Sequence, residues 1–354
     1  MRIALVGPYH PAVGGVQVYM TYLARELASM GEDVFVVSYR GARSRWGERV
    51  LEAPTADLKG LRGLSFTLAS SAILRRERPE LAICHYATTS GMAGFLSSAS
   101  GLRYFVVFHG SDAGMPGLIS KLVASRASAV IAVSGWLRGK LEGMGLRVDS
   151  VIPGGVDERI FSSLPPKEEL KSRLGLEGNL VLSVGSLTRV KGFDMIPRVA
   201  RLVNESIDAT FLIIGSGPEE GNLRRISATL GVEEKVILIG RKGYEETALY
   251  YGAADVLLHP AKLEGYGLTA LESLAAGTPV VASDVGGLRD AVLDGVDGFL
   301  LPRDERIFAN RIIQLLRDEE LRREMGRRGR ERALRRTWRV VAEEYERLIG
   351  EVMS

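Results

Sequence analysis

A chain of 354 residues, 46% hydrophobic and 25% charged, is too long for one ordinary core and fits a globular protein of two domains. A single cysteine, Cys84, excludes an internal disulfide; set in the apolar run 81–84, it reads as a buried inert thiol in a reducing compartment. The net charge of +3 is uneven: residues 1–165 carry 18 Lys and Arg against 13 Asp and Glu, and the remainder 28 against 30, a balance of +5 and −2. That surplus, without interleaved aromatics, argues against nucleic acid; a solvated surface, an anionic acceptor and an anionic membrane face stay open.

The first strand is expected at residues 2–7, at the very start, with no signal-peptide pattern. No uncharged apolar stretch approaches the ~18 residues that cross a bilayer. Further strands are expected near 33–38, 80–84, 103–108, 129–133 and 148–152, then near 179–185, 209–215, 234–239, 254–258, 278–282 and 298–301. Most are continuous apolar runs such as 210–214, as strands buried on both faces are. Helical patterns lie between them, so the class is α/β with parallel sheets. A linker is expected near 153–178, where Pro165-Pro166 opposes both helix and strand. The domains so drawn are 1–165, 166–335 and a last helix, 336–354. In that helix Trp338, Val341, Tyr345 and Leu348 form one apolar stripe. It either closes the second domain or returns to the first.

The loop after the first strand carries Gly14-Gly15 before a helix, where backbone amides can approach a phosphate. Alone it is equally a structural turn, and its spacing is not the dinucleotide fingerprint. The most specific segment is 264–272. Glu264 and Glu272 flank a Gly265-Tyr266-Gly267 turn that opens a helix, whose amides can hold a diphosphate. Without their neighbours, the two glutamates are equally a helix-entry anion and a surface residue. Their surroundings favour a site. Lys191 and Arg189 follow the first strand of the second half, Gly215-Ser216-Gly217 the next, Gly240-Arg241-Lys242 the third, His259 the fourth and Gly286-Gly287 the fifth. All are carboxyl ends of parallel strands, where open α/β sheets bind ligands. Of the four histidines, His85 and His259 read as structural, and His10 could touch an acceptor. No cluster has metal-ligand spacing and no Asp-x-Asp pair is present.

Together these motifs resemble the retaining glycosyltransferases of family 4, which have the GT-B fold. The resemblance runs from Gly14-Gly15 to residues 294–299, and includes His109-Gly110, Ser134 and residues 152–157. It implies two Rossmann-like domains facing a cleft, with the acceptor in the first and a sugar-nucleotide donor in the second; because the sequence lacks a metal-ligand cluster, no metal or other cofactor is expected. Carried over, Lys191 would neutralise the diphosphate, Glu272 hold the ribose, and the amides of Tyr266, Gly267 and Leu268, with Gly15, contact phosphate. The Gly217 loop would also meet the donor. Glu264 and His109 would bind the transferred sugar, and Arg241 and Lys242 lie where the base-contacting loop falls. Ser186 stands where the family commonly has Arg, so either one diphosphate partner is missing or Arg189, two residues before Lys191, supplies it. The implied activity is transfer of a hexosyl unit to a glycan, lipid-linked or polyol acceptor with retention of configuration. The implied place is the cytoplasm, with attachment to the inner membrane face open. An epimerase or hydrolase on the same fold, and a non-catalytic sugar-nucleotide-binding subunit, are the rival readings.

Overall fold

The computed structural model describes residues 1–11, 14–56, 58, 61–110 and 117–353. They form two compact units: 1–155 with 338–354, and 156–337. The first unit contains β1 (Arg2–Val6), α1 (Gly15–Ser29), β2 (Asp33–Tyr39), β3 (Arg49–Ala53), α2 (Arg62–Glu77), β4 (Leu81–His85), α3 (Met92–Ser98), β5 (Arg103–Phe108), α4 (Leu118–Arg126), β6 (Ala129–Ala132), α5 (Gly135–Gly143) and β7 (Ser150–Val151). The second contains α6 (Glu158–Ser162), α7 (Lys167–Leu174), β8 (Asn179–Val184), α8 (Ile196–Asn204), β9 (Ala209–Ile214), α9 (Glu220–Leu230), β10 (Val236–Gly240), α10 (Tyr244–Ala253), β11 (Val256–His259), α11 (Leu268–Ala275), β12 (Val280–Ser283), α12 (Leu288–Ala291), β13 (Gly298–Leu301), α13 (Glu305–Arg317) and α14 (Glu319–Ala333). The last helix, α15 (Trp338–Met353), belongs to the first unit.

Each unit is built on one parallel sheet. The strand orders are β3-β2-β1-β4-β5-β6-β7 and β10-β9-β8-β11-β12-β13. Both follow the doubly wound 3-2-1-4-5-6 sequence, so each has one point where the chain reverses its direction of travel across the sheet: β1 beside β4, and β8 beside β11. The central strands are apolar on both faces, with Ile3, Leu5, Ile83 and Val106 in one sheet and Val181, Ile213 and Val281 in the other fully buried.

Three expectations change. The sequence predicts no strand at β3. It lies at the sheet edge beside β2, only half buried, and its sequence Arg-Val-Leu-Glu-Ala carries too little apolar surface to announce a strand. The 153–178 linker is not a linker. Its Pro166 caps α7 instead of breaking the chain. Lys167 and Lys171 of α7 each donate to the buried Asp255 at 3.0 Å, and Asp255 also accepts from the Leu180 amide. Asp157 caps α6, and Arg330 bonds the Phe161 carbonyl at 2.9 Å. The first unit therefore ends at 155 instead of 165.

The last helix packs on α1. The Trp338 ring stacks on Tyr22 at 5.5 Å, and the Tyr19 and Tyr345 hydroxyls are 3.1 Å apart. Its Trp338, Val341 and Tyr345 are buried there. Cys84 is buried and forms no disulfide, with its thiol pushed up to about 12 by burial.

Candidate functional site

In the second unit, the loops after β8 and β11 meet at the reversal point of the sheet. Lys191 ends a short 3-10 turn after β8. Its Nζ donates to Glu264 Oε2 at 2.5 Å, and both side chains are largely buried. His259, the last residue of β11, places Nε2 3.3 Å from the same oxygen. Burial alone would raise the Glu264 pKa, but Lys191 and His259 outweigh it and hold the carboxyl well below the ordinary range. An ionised carboxylate thus shares one largely buried corner with an ammonium group.

Backbone contacts fix this pair. The Lys262 amide donates to the Val190 carbonyl at 2.8 Å, tying the two loops. Arg303, after β13, donates to the Pro260 carbonyl at 3.0 Å and the Gly192 carbonyl at 3.3 Å. The Gly287 amide donates to the Glu264 carbonyl at 2.9 Å. A Cβ on Gly287 would sit 2.1 Å from the Gly265 carbonyl oxygen, so only glycine allows the 264 loop this close. Gly217 has the same role in the loop after β9, where a Cβ would stand 2.4 Å from the Leu187 carbonyl oxygen.

Gly267 (φ +105°) turns the chain into α11. That helix has no side-chain cap and no acid in its first turn, so the N–H groups beginning at Leu268 face outward with the positive end of the helix. Tyr266 is buried beneath the turn. Glu272 is not a surface residue: it is 6% exposed, and its Oε2 accepts from the Tyr251 hydroxyl at 3.0 Å. Burial pushes its pKa up to about 8, although the Tyr251 bond opposes the shift.

The remaining cations stand apart. Arg189 is exposed, and its Nε lies 3.3 Å from Glu219 Oε1. Both line a cavity with Asp194, Asn222 and Lys262 that includes neither Lys191 nor Glu264. Arg241 donates to Ser216 Oγ at 2.5 Å, joining the loops after β9 and β10, and Lys242 pairs with Glu246 at 2.7 Å.

In the first unit, Gly15 opens α1 after an extended Gly14. His109 follows β5, and its Nε2 lies 2.8 Å from Nδ1 of His85, the last residue of β4. Burial drives the His109 pKa down to about 3 and that of His85 well below the ordinary value, with His109 adding to the latter shift. The pair is neutral, so one nitrogen donates and the other accepts. Residues 12, 13 and 111–116, around Gly14 and after Gly110, lie outside the described residues.

Sequence reasoning misses His259 and Arg303. His259 reads as a structural residue, yet it faces Glu264. Its one available signal is its place, last in the strand that leads to Glu264. Nothing in the sequence marks Arg303, whose role depends on which carbonyls the fold brings to it. Among the described residues no three His, Cys, Asp or Glu side chains converge as metal ligands would.

A paired cation and carboxylate at a reversal point, beside an uncapped helix, define a crevice suited to a phosphorylated ligand. The pattern of the family described as Glycosyl transferases group 1 matches residues 166–332, and that of Glycosyltransferase Family 4 matches residues 13–159. The chain belongs to this glycosyltransferase family. Among its relatives is an uncharacterized glycosyltransferase of Methanocaldococcus jannaschii, 26% identical over 96% of this chain and 95% of the relative. The N-acetyl-alpha-D-glucosaminyl L-malate synthase of Bacillus anthracis is 26% identical over 100% and 98%. Among solved structures, a sucrose-phosphate synthase from Thermosynechococcus elongatus superposes with a TM-score of 0.84 at 23% identity over 99% of both chains. The Anabaena HepE protein in complex with UDP-glucose gives 0.83 at 19%, again over 99% of both. These likenesses establish the GT-B class of fold: two Rossmann-like units.

Proposed function

We propose that this glycosyltransferase moves a hexosyl unit from a nucleoside diphosphate sugar to a hydroxylated acceptor, retaining the anomeric configuration and using no metal. The observation that carries the reading is the Lys191–Glu264 pair beside the uncapped start of α11. A diphosphate leaving group gains charge as the glycosidic bond breaks. Lys191 and the amides of Tyr266, Gly267 and Leu268 would stabilise that charge. In the paired state Lys191 is neutralised by Glu264. A diphosphate would draw the ammonium to itself and release the carboxylate to accept bonds from sugar hydroxyls. Glu272 would accept from the ribose, Arg241 and Lys242 would border the base, and the Gly217 turn would admit the nucleotide between them. His109, held neutral beside His85, would offer a hydrogen bond to a hydroxylated ligand of the first unit without adding charge. No protein nucleophile is needed: the acceptor hydroxyl attacks the face the leaving group departs from, and the departing phosphate oxygen takes its proton.

Two kinds of neighbour support the donor and acceptor classes: structures solved as complexes with UDP or UDP-glucose, and relatives named D-inositol 3-phosphate glycosyltransferase. An assay with UDP-hexoses, resolved by product anomer and repeated in EDTA, tests the proposal. An α-linked product from an α-donor in chelator supports it. An inverted product, or full loss of activity restored by manganese or magnesium, refutes it.

Peripheral attachment to an anionic inner membrane face belongs to the same proposal. No helix among the described residues is long and apolar enough to cross a membrane. Helix α4, however, exposes Leu118, Ile119 and Leu122 beside Lys121 and Arg126, with no acid on it. Cosedimentation with phosphatidylglycerol vesicles at low salt, reduced by Leu118→Ser, is the expected result; no cosedimentation refutes the attachment.

A further inference from the structure

The first unit holds a cavity of about 630 Å³ that none of the donor-site residues lines. It opens at the carboxyl ends of β1 and β2, the ligand edge of an open parallel sheet. Its walls combine the end of β2, Gln17 in the first turn of α1, and the first two residues of α2, Arg62 and Gly63.

The chemistry of these walls is one-sided. Among the described residues Arg40 and Arg62 both line the cavity, and no Asp or Glu does. Neither arginine forms a salt bridge among the described residues, whereas Arg2, Arg49 and Arg76 of the same unit all converge on Glu77. Arg62 is held in place: its guanidinium lies 5.3 Å from the centroid of the Tyr39 ring, which stacks on Phe66 at 3.9 Å. The 16-residue α2 starts here with no side-chain cap and no acid in its first turn, so its positive end adds to the two cations. Ser38, 1% exposed and part of the same wall, has an Oγ with no hydrogen-bond partner. A buried hydroxyl left in that state is costly unless something completes it.

We propose that this cavity binds the anionic group, phosphate or carboxylate, of a small hydroxylated acceptor. Arg40, Arg62 and the α2 amides hold the anion, and Ser38 and Gln17 bond its hydroxyls. The assignment rests on the transferase reading for the word acceptor, while the binding chemistry stands on the cavity alone. Two exposed guanidiniums give selectivity for charge, and the polar floor orients the rest of the molecule.

Calorimetric titration of the full-length protein, without donor, tests this with glycerol 3-phosphate, L-malate and glycerol. At least one anion should bind and glycerol should not; which anion binds separates phosphate from carboxylate. Arg40→Gln, at an exposed position that leaves the Tyr39–Phe66 stack intact, should weaken the anion about tenfold, as loss of one charged hydrogen bond does. Adding Arg62→Gln should abolish binding, and Arg40→Lys should restore part of it. UDP affinity, which reads the second unit, should not move in any of these variants. Equal binding of glycerol, no binding of either anion, or anion binding indifferent to Arg40→Gln would overturn the assignment. Absence of glycosyl transfer with anion binding intact would reject the transferase reading and leave the subsite standing.

Discussion

The two sheets share one topology, and the fourth strand of each, which lies across the reversal point, ends in a histidine: His85 on β4 and His259 on β11. Their partners differ. His85 meets another imidazole, His109, in surroundings of Tyr19 and Tyr86, and both rings are kept neutral. His259 meets a carboxylate that Lys191 keeps ionised. Topology therefore decides where a ligand can lie, and side-chain charge decides which ligand. The neutral corner suits hydroxyls; the charged corner suits a diphosphate and the sugar next to it.

The charged corner should be the more fragile. Glu264→Gln keeps the shape of the side chain and removes the charge that, in the proposed function, would face the transferred sugar. Turnover should fall by ~10² or more with donor KM changed far less, because the lost interaction strengthens toward the transition state. Steady-state kinetics decide it; a change in KM alone would place Glu264 in ground-state binding.

Glu272 sharpens the contrast within one segment. It is buried with its carboxyl bonded to the Tyr251 hydroxyl, and its pKa of about 8 lies above the unfolded value. The native state then holds a proton that the unfolded chain has released, so stability should fall as pH rises from about 4.5 to 8. Glu272→Gln should remove that loss, gaining on the order of a few kcal/mol at pH 8 in urea unfolding, and should raise donor KM severalfold while sparing kcat. A wild-type protein equally stable at pH 5 and pH 8, with the variant unchanged, would contradict the shift.

The smallest expected effect is none at all. With His109 near 3 and His85 well below its ordinary value, neither ring should titrate between pH 5 and 8. For such groups the unfolded chain binds more protons in acid, so their contribution to stability is present above about pH 6.5 and lost as pH falls toward the native values. Histidine ring resonances followed by NMR should show His85 and His109 fixed across pH 5 to 8. Titration of either ring in that range would break the neutral half of the comparison.

Much of this is legible in the sequence because parallel strands buried on both faces leave continuous apolar runs, and ligand loops must follow their carboxyl ends. Lys191, Glu264 and the Gly265-Tyr266-Gly267 turn can be placed on that ground alone. What fails is whatever depends on partners far along the chain. The edge strand β3 has too few apolar residues to be seen. Pro165-Pro166 looks like a break, but the pairing of Lys167 and Lys171 with Asp255, more than 80 residues away, makes the stretch part of the second unit. The exposed pairing of Arg189 with Glu219, 30 residues away, is likewise invisible in the sequence. Arg303 becomes meaningful only when β13 brings it to the carbonyls of Gly192 and Pro260. The apolar stripe of α15 announces that the helix packs, and only the aromatic contacts of Trp338 and Tyr345 with α1 say where.

The Lys191–Glu264 pair is the centre of the account, and UDP binding tests it most directly. In the structure the ammonium is already engaged by the carboxylate, so a diphosphate must compete for it. Calorimetric titration of UDP should show binding weakened about tenfold or more in Lys191→Ala, through loss of a charge-assisted contact. In Glu264→Gln the same titration should show binding as tight as in the wild type or tighter, even as turnover collapses. Equal UDP affinity in the wild type and Lys191→Ala, or a loss of UDP binding in Glu264→Gln as large as in Lys191→Ala, would contradict the assignment of this pair to the donor.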